Sequence, residues 1–226
     1  MKIIKDRQLI YDVYNYDIVL VSMGLNNSFN CGLRYELNLN FHGLKEKEIE
    51  SGYGDKRKCG TVFSVKTDKV IFCMCYMFTG WNRHKNDKDY VNYENLDSCL
   101  YKITELYGNK KIASPLLGLE PCDGNGNRQK IEYIFNKHFA KMDNVFLYDY
   151  KQRDYRLEIF HKLAEIHNQL KTKKITKEEY VRLRRNIEWE RIHGVLNPIP
   201  EDYEFVPQRK RIKKAKIQEI DGYNQN

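Results

Sequence analysis

Apolar runs and amphipathic stretches alternate along the first two thirds of the chain. Residues 17–23 and 70–78 are apolar at nearly every position, which is typical of strands buried on both faces of a sheet. Residues 61–65 are also mostly apolar, and a short polar segment joins them to residue 70, so these two runs predict a hairpin of buried strands. Residues 144–150 predict a last strand.

Stretches with helical spacing separate these strands. Apolar residues that recur every three or four positions lie on one face of a helix, which packs that face against a sheet. Three such stripes occur, at Leu33, Leu37 and Phe41, at Leu96, Leu100 and Ile103, and at Ile131, Ile134, Phe135 and Phe139. The alternation of strands and helices predicts an α/β sandwich whose sheet is largely parallel at its centre.

The pattern changes after residue 150. Residues 153–170 have helical spacing, and Thr176 and Glu179 form a capping box that starts a second helix. We expect this helix to stop at Gly194. The chain is therefore predicted to contain an α/β domain (residues 1–150), a helical hairpin that packs as an appendage (residues 151–196), and a proline-containing linker with a basic tail (residues 197–226).

Composition adds an expected compartment to this picture. Of the 226 residues, 41% are apolar and 31% are charged, and the mean hydropathy is -0.73. No apolar run approaches the ~20 residues that a membrane span needs, and the N-terminus lacks the apolar segment of a secretion signal. We therefore expect a cytoplasmic protein that is monomeric and has no contact with a membrane.

The cysteines do not predict a metal site. None of the six forms a Cys-x-x-Cys pair, and a zinc site needs ligand pairs at a spacing that is absent here. In a reducing compartment such cysteines are mostly small buried apolar residues. They are Cys31, Cys59, Cys73, Cys75, Cys99 and Cys122. We expect neither a metal nor a cofactor.

Positive charge is concentrated near the C-terminus. The formal net charge is +8, and residues 151–226 contribute most of it, with 18 Lys and Arg against 12 Asp and Glu. Residues 209–216 hold six positive charges and no acid, at Arg209, Lys210, Arg211, Lys213, Lys214 and Lys216. Such a run suits a polyanion, most often nucleic acid, although a solvated tail that aids solubility has the same composition.

A polar loop at residues 79–89 is a second candidate for contact with nucleic acid. It holds Trp81, Arg83 and Lys85. An aromatic side chain among cations can stack on a nucleobase while the cations contact its phosphate. The alternative is an exposed loop with one anchoring tryptophan.

Two strand–loop–helix units carry the candidate ligand chemistry. Residues 24–32 follow the first apolar run, and residues 118–127 precede the third helix; both are rich in glycine and asparagine. Backbone N–H groups in such loops, together with the positive end of the helix dipole, bind phosphate. The alternative is an ordinary turn in which Gly and Asn supply unusual backbone geometry. The predicted ligand contacts are Ser22, Asn26, Asn30, Gly32, Leu33, Gly118, Gly124, Asn125 and Gly126.

The order of these motifs resembles a macro domain, in the branch of the terminal ADP-ribose glycohydrolases, over residues 1–150. Residues 17–22 correspond to its second strand and residues 70–77 to its central strand. The shared motifs are Asn30-Cys-Gly-Leu33, Cys59-Gly-Thr-Val-Phe63, Tyr93-Glu-Asn-Leu96, and Ser114-Pro-Leu-Leu-Gly118 with Asp123, where the family has Pro-Arg-Ile-Gly-Cys-Gly-Leu-Asp. The resemblance implies a three-layer α/β/α sandwich with a mixed sheet, here followed by the helical hairpin and the basic tail.

The sequence departs from that family where the chemistry lies. The lysine that attacks the ribose in that branch is absent, and Met77 stands near its place. Residues 119–122 (Leu-Glu-Pro-Cys) replace the second half of the glycine motif. A covalent lysine mechanism is therefore not expected. In an acid-assisted mechanism, Asp123 or Glu120 would activate water or stabilise positive charge at the anomeric carbon, while Asn27 would hold the sugar.

Three hypotheses of function follow. The first is a macro-domain-like hydrolase that cleaves a glycosidic bond at C1 of a ribose, in an ADP-ribosyl or nucleoside adduct on nucleic acid. The second is a DNA glycosylase that flips out a modified base. The third is a non-catalytic module that binds ADP-ribose or a related nucleotide signal, which the missing lysine favours. The expected partners are an ADP-ribose-like ligand or modified nucleotide, and DNA.

Overall fold

A mixed six-stranded sheet forms the centre of the protein in the computed structural model, which describes residues 1–5, 7–25, 29, 32–78, 90–120, 124–149 and 155–200. The strands are β1 (Lys2–Lys5), β2 (Ile18–Gly24), β3 (Val62–Lys66), β4 (Ile71–Phe78), β5 (Ile112–Pro115) and β6 (Val145–Asp149). Their order across the sheet is β1-β6-β5-β2-β4-β3. All neighbouring strands are parallel except β3 and β4, so the predicted parallel centre is confirmed.

Helices cover both faces of this sheet. They are α1 (Gly32–Asn40), α2 (Leu44–Ile49), α3 (Tyr93–Tyr107), α4 (Arg128–Phe139), α5 (Tyr155–Lys171) and α6 (Lys177–His193), with 3-10 helices at Leu9–Asn15 and Lys56–Lys58. Successive side chains of a strand point to opposite faces. In β2, Val19 and Val21 therefore pack with α1, whereas Ile18 and Leu20 pack with α3 and α4. The predicted three-layer α/β/α sandwich is confirmed.

One part of the predicted hairpin was wrong. β3 and β4 do pair antiparallel, and β4 is buried from Phe72 to Phe78. In β3, however, Val65 is the one buried residue. β3 lies at the edge of the sheet, where the helical layers give it less cover than the central strands receive.

Side-chain caps set where three of the helices begin. Asn92 accepts a hydrogen bond from the N–H of Asn95 at the start of α3, and Asn127 accepts one from Lys130 at the start of α4. Each cap satisfies a backbone donor that the first helical turn leaves without a partner. The capping box predicted before α6 is present. Both α3 and α4 therefore begin at defined residues beside the carboxyl edge of the sheet.

The α5–α6 hairpin packs on α1. The ring of Tyr155 lies 6.1 Å from that of Tyr35, and the side chain of Asn40 accepts a 2.7 Å hydrogen bond from the N–H of Leu196. Because α1 lies between the sheet and the hairpin, even its Arg34 is buried. Within the described residues, no helix combines the length and apolar character needed to cross a membrane.

Candidate functional site

The topology creates a crevice between β2 and β5. These strands are parallel neighbours, but β2 leads to α1 on one face of the sheet and β5 leads to α4 on the other. Their ladder contains only Ile18 with Ile112 and Val19 with Ala113, whereas β2 continues to pair with β4 as far as Gly24. A point where the connections diverge to opposite faces is where open α/β sheets bind ligands, at the carboxyl ends of the strands. Both predicted loops follow these carboxyl ends.

The second predicted loop is a turn closed by its own main chain. We call residues 116–127, which join β5 to α4, the second turn. The N–H of Gly126 donates to the carbonyl of Gly118 at 2.8 Å, and the N–H of Asn125 donates to that of Glu120 at 3.0 Å. Because these two donors are satisfied inside the turn, a ligand must be met by other groups of the site as long as the turn keeps this shape.

The candidate catalytic residues are only partly described. Glu120 is half-buried and belongs to the second turn. Asp123 and Asn27, the other two candidates, lie outside the described residues. Met77, which stands near the place of the family lysine, is fully buried among the apolar residues under α3 and α4. It therefore lacks both the chemistry and the exposure of a nucleophile.

The first predicted loop begins at the end of β2, and we call residues 24–32 the first turn. Ser22 is buried in β2, and the side chain of Leu33 is buried in the core, so Leu33 offers a ligand only its main chain. Gly32 begins α1 with a φ of 58°, a conformation that favours glycine. Asn26 and Asn30 lie outside the described residues.

A buried network of polar side chains lies beneath the first turn. Glu48 and Tyr76 are both fully buried, and the Tyr76 hydroxyl donates to Glu48 Oε1. Lys58 Nζ lies 3.4 Å from the same carboxylate oxygen and 4.0 Å from the centre of the Tyr76 ring. Burial raises the pKa of Glu48, and the hydrogen bond from Tyr76 and the charge of Lys58 offset part of that rise. We call Glu48, Tyr76 and Lys58 the Glu48 network.

The Glu48 network is connected to the first turn through a short loop. Lys58 Nζ donates to the carbonyl of Gly52 at 2.7 Å. Two residues later, the N–H of Gly54 donates to the carbonyl of Leu25 at 2.8 Å. The ammonium group therefore holds residues 52–54 against the start of the first turn. Sequence analysis missed this network because its members are 10 to 28 positions apart.

An open groove of about 600 Å³ lies between α3 and α4. It begins beside the second turn, because the Tyr93 hydroxyl at its upper end accepts a 2.8 Å hydrogen bond from the N–H of Asn127. Near its lower end, Asp97 accepts hydrogen bonds from Lys137 and pairs with His138. The hydrogen bond from Lys137 is the largest cause that lowers the pKa of Asp97. The groove was not predicted, since it depends on the spacing of two helices.

The predicted nucleic-acid contacts fall outside the described residues. This applies to Trp81, Arg83 and Lys85 and to the basic run at residues 209–216. Across the ranges that the structure describes, His, Cys, Asp and Glu side chains form no group of three or more that suits a metal ion.

Comparison with known proteins finds similarity at the level of structure. No family model matches the sequence, and no curated protein matches it. A protein of unknown function from Bacteroides thetaiotaomicron superposes with a TM-score of 0.55 at 12% identity, over 67% of this chain and 99% of that one. Thermosipho africanus DarTG in complex with ADP-ribose gives 0.53 at 13% identity, over 70% of this chain and 44% of that one. The macrodomain of Mycobacterium tuberculosis DarG gives 0.50 at 16% identity, over 66% and 97%.

These identities establish the fold and nothing finer. The superposed part is about two thirds of this chain, whereas the DarG macrodomain is matched over nearly its whole length. A macrodomain of that size therefore leaves about a third of this chain without a counterpart. The protein has the fold of a divergent macrodomain over about two thirds of its length.

Proposed function

We propose that this protein binds ADP-ribose, free or as an ADP-ribosyl group, in the crevice between β2 and β5. The observation that carries the proposal is the divergence of these neighbouring parallel strands, which leaves their carboxyl ends open between two turns rich in glycine and asparagine. The likeness in fold to a DarTG structure that contains ADP-ribose supports the same choice of ligand.

The start of α4 supports an anionic ligand. Its 12 residues present the positive end of a helix dipole directly after the second turn. Arg128, the first residue of the helix, is bound to Glu132 and Asp149 and is therefore not the main counter-ion. Backbone dipoles would thus contribute more than side-chain charge to holding a pyrophosphate at this place.

We further propose that the protein hydrolyses the bond at C1 of the bound ribose. Glu120 or Asp123 would take a proton from a water molecule as it attacks C1, the bond to the leaving group would break, and the leaving group would depart with a proton. General-base assistance of this kind is typically worth about 10²–10⁴-fold in rate. Asn27 would hold the sugar. A lysine adduct has no part in this scheme.

The carrier that we propose is nucleic acid, preferably DNA, in the cytoplasm. The support is the run of six positive charges at residues 209–216, because cationic residues that neutralise backbone phosphates give salt-dependent binding. A DNA glycosylase that takes a modified base into the same crevice is a variant of this proposal, and Trp81 could then fill the gap in the base stack.

The alternative is a module that binds ADP-ribose without cleaving it. The specific observation in its favour is Met77, a buried apolar residue near the place where the resembling glycohydrolases have their lysine. Such a module would keep the crevice and both turns and would lack turnover.

One set of incubations separates these functions. The full chain is incubated with ADP-ribosylated DNA, with DNA that carries a modified base, and with free ADP-ribose in a calorimeter. Release of ADP-ribose that disappears in Glu120→Gln or Asp123→Asn would support the hydrolase, and release of a free base would support the glycosylase. Calorimetric binding without product would select the binding module. No heat and no product would contradict the proposal as a whole.

A further inference from the structure

Val91 is the side chain around which the second turn is folded. It is 7% exposed and directly precedes Asn92, the cap of α3. A Cβ atom placed on Gly118 or on Gly124 would lie 2.6 Å from Val91 Cγ2, and one placed on Gly126 would lie 2.9 Å from it. Since Cβ atoms essentially never come within 3.0 Å of another heavy atom, these three glycines are the residues that let the backbone close around one methyl group.

Main-chain hydrogen bonds fix Val91 on both sides. The N–H of Tyr90 donates to the carbonyl of Gly124 at 2.7 Å, and the N–H of Asn92 donates to the carbonyl of Met77 at 3.0 Å. The segment 90–92 is therefore tied to the second turn at one end and to the carboxyl end of β4 at the other. A residue held in this way cannot move away from the turn without breaking one of these hydrogen bonds.

We propose that Val91 is a positioning residue for the ligand site: its Cγ2 methyl group sets the distance between the two ends of the second turn. That distance determines whether the N–H of Gly126 reaches the carbonyl of Gly118 and whether the N–H of Asn125 reaches that of Glu120. Through the second bond, Val91 also fixes the backbone that carries the Glu120 carboxylate. The role of Val91 in ligand binding rests on the proposed function.

The consequence is a turn that has its binding shape before the ligand arrives. A preformed site does not spend binding free energy on ordering itself. If Val91→Ala left the turn in that shape for roughly one tenth of the time, the apparent Kd for ADP-ribose would rise about tenfold. The increase would come from the turn alone, since Val91 is buried and the substitution removes only two methyl groups.

Val145→Ala is the matched control. Val145 is fully buried in the same apolar core, but it begins β6 at the opposite edge of the sheet. The two variants lose the same two methyl groups from the same core. Thermal unfolding of the full chain shows whether their losses of stability are comparable.

Two measurements on wild type, Val91→Ala and Val145→Ala test the proposal. We expect calorimetry with ADP-ribose to give a Kd about tenfold higher for Val91→Ala and unchanged for Val145→Ala. Amide hydrogen exchange should accelerate at Asn125 and Gly126 in Val91→Ala alone. Val91→Ile, which keeps the Cγ2 methyl group, should stay close to wild type in both measurements.

The outcomes separate this inference from the proposed function. Equal affinity and equal exchange in Val91→Ala and Val145→Ala would overturn the positioning role, whether or not the protein binds ADP-ribose. If wild type gave no heat with ADP-ribose, the proposed ligand would fail, and faster exchange at Gly126 in Val91→Ala alone would still support control of the turn by Val91.

Discussion

The two turns at the carboxyl edge of the sheet are supported by different physical means. The second turn has an apolar support, the methyl group of Val91, and main-chain hydrogen bonds of its own. The first turn rests on residues 52–54, which the buried ammonium group of Lys58 holds in place. One support is therefore a matter of shape, and the other is a matter of charge in a medium of low polarity.

This difference determines what each turn responds to. Close packing changes little with pH or salt, but it does not tolerate an added or removed methyl group. A buried charge network tolerates small changes of shape, but its free energy depends on the protonation of each member and on the presence of every partner. The crevice is thus bounded by one turn that is sensitive to volume and by another that is sensitive to charge.

The largest expected effect comes from removing the charge of Lys58. Lys58→Met keeps the aliphatic stem but leaves Glu48 without its cation and residues 52–54 without their anchor. Loss of one partner of a buried ion pair typically costs about 3–5 kcal/mol. We expect a loss of that order in the free energy of unfolding at neutral pH, measured with urea.

Lys56→Met is the matched control, because Lys56 is exposed in the same 3-10 helix. It should stay within about 0.5 kcal/mol of wild type, as surface substitutions usually do. Equal losses in the two variants would mean that the Glu48 network does not support the first turn.

A smaller effect is expected when the shape of the second turn is changed. Gly118 has a φ of 84° and Gly43 a φ of 81°, so alanine imposes nearly the same backbone strain at both. A Cβ on Gly43 would meet nothing within 4 Å, whereas one on Gly118 would lie 2.6 Å from Val91 Cγ2. Overpacking typically costs about 1–3 kcal/mol. Gly118→Ala should therefore be less stable than Gly43→Ala by about that amount.

The same pair of variants also tests the cause. In a Val91→Ala background the extra cost of Gly118→Ala should shrink, because the methyl group that causes the clash is gone. Urea unfolding of the single and double variants gives the coupling free energy between the two positions. Strictly additive losses would show that Val91 and Gly118 do not act on each other.

Much of the fold was predictable because it depends on local periodicity. The apolar runs of β2 and β4, the stripes of α1, α3 and α4, and the capping box of α6 each lie within one short stretch of sequence. β1 was not predicted. It has four residues, of which Ile3 is exposed, and it is a strand because it pairs with β6, more than 140 positions away.

The site was less predictable, because its supports join distant parts of the chain. The glycines of the second turn were correctly located, but their number was attributed to a ligand. Gly118, Gly124 and Gly126 also serve a packing need that becomes visible only once Val91 is seen between them. Likewise, Glu48 stands in a charged, exposed-looking segment, and nothing local marks it as fully buried.

The smallest expected effect is the pH dependence that the charged support alone should show. Burial raises the pKa of Glu48 in the folded protein, so between about 4.3, the ordinary pKa of glutamate, and the raised value, the folded state binds more protons than the unfolded state. Stability contributed by Glu48 must therefore fall as pH rises through that window. The fall is limited because Tyr76 and Lys58 stabilise the ionised form.

Glu48→Gln removes this titration, and the experiment compares its slope with that of wild type. The free energy of unfolding, measured with urea from pH 4 upward, should decline more steeply with pH in wild type than in Glu48→Gln. Any constant offset from altered hydrogen bonds cancels in the slope. Gly118→Ala, which acts on the support that depends on shape, should keep the wild-type slope. If the slope of Glu48→Gln equalled that of wild type, or if Gly118→Ala changed it as much, the two turns would not differ in the way we describe.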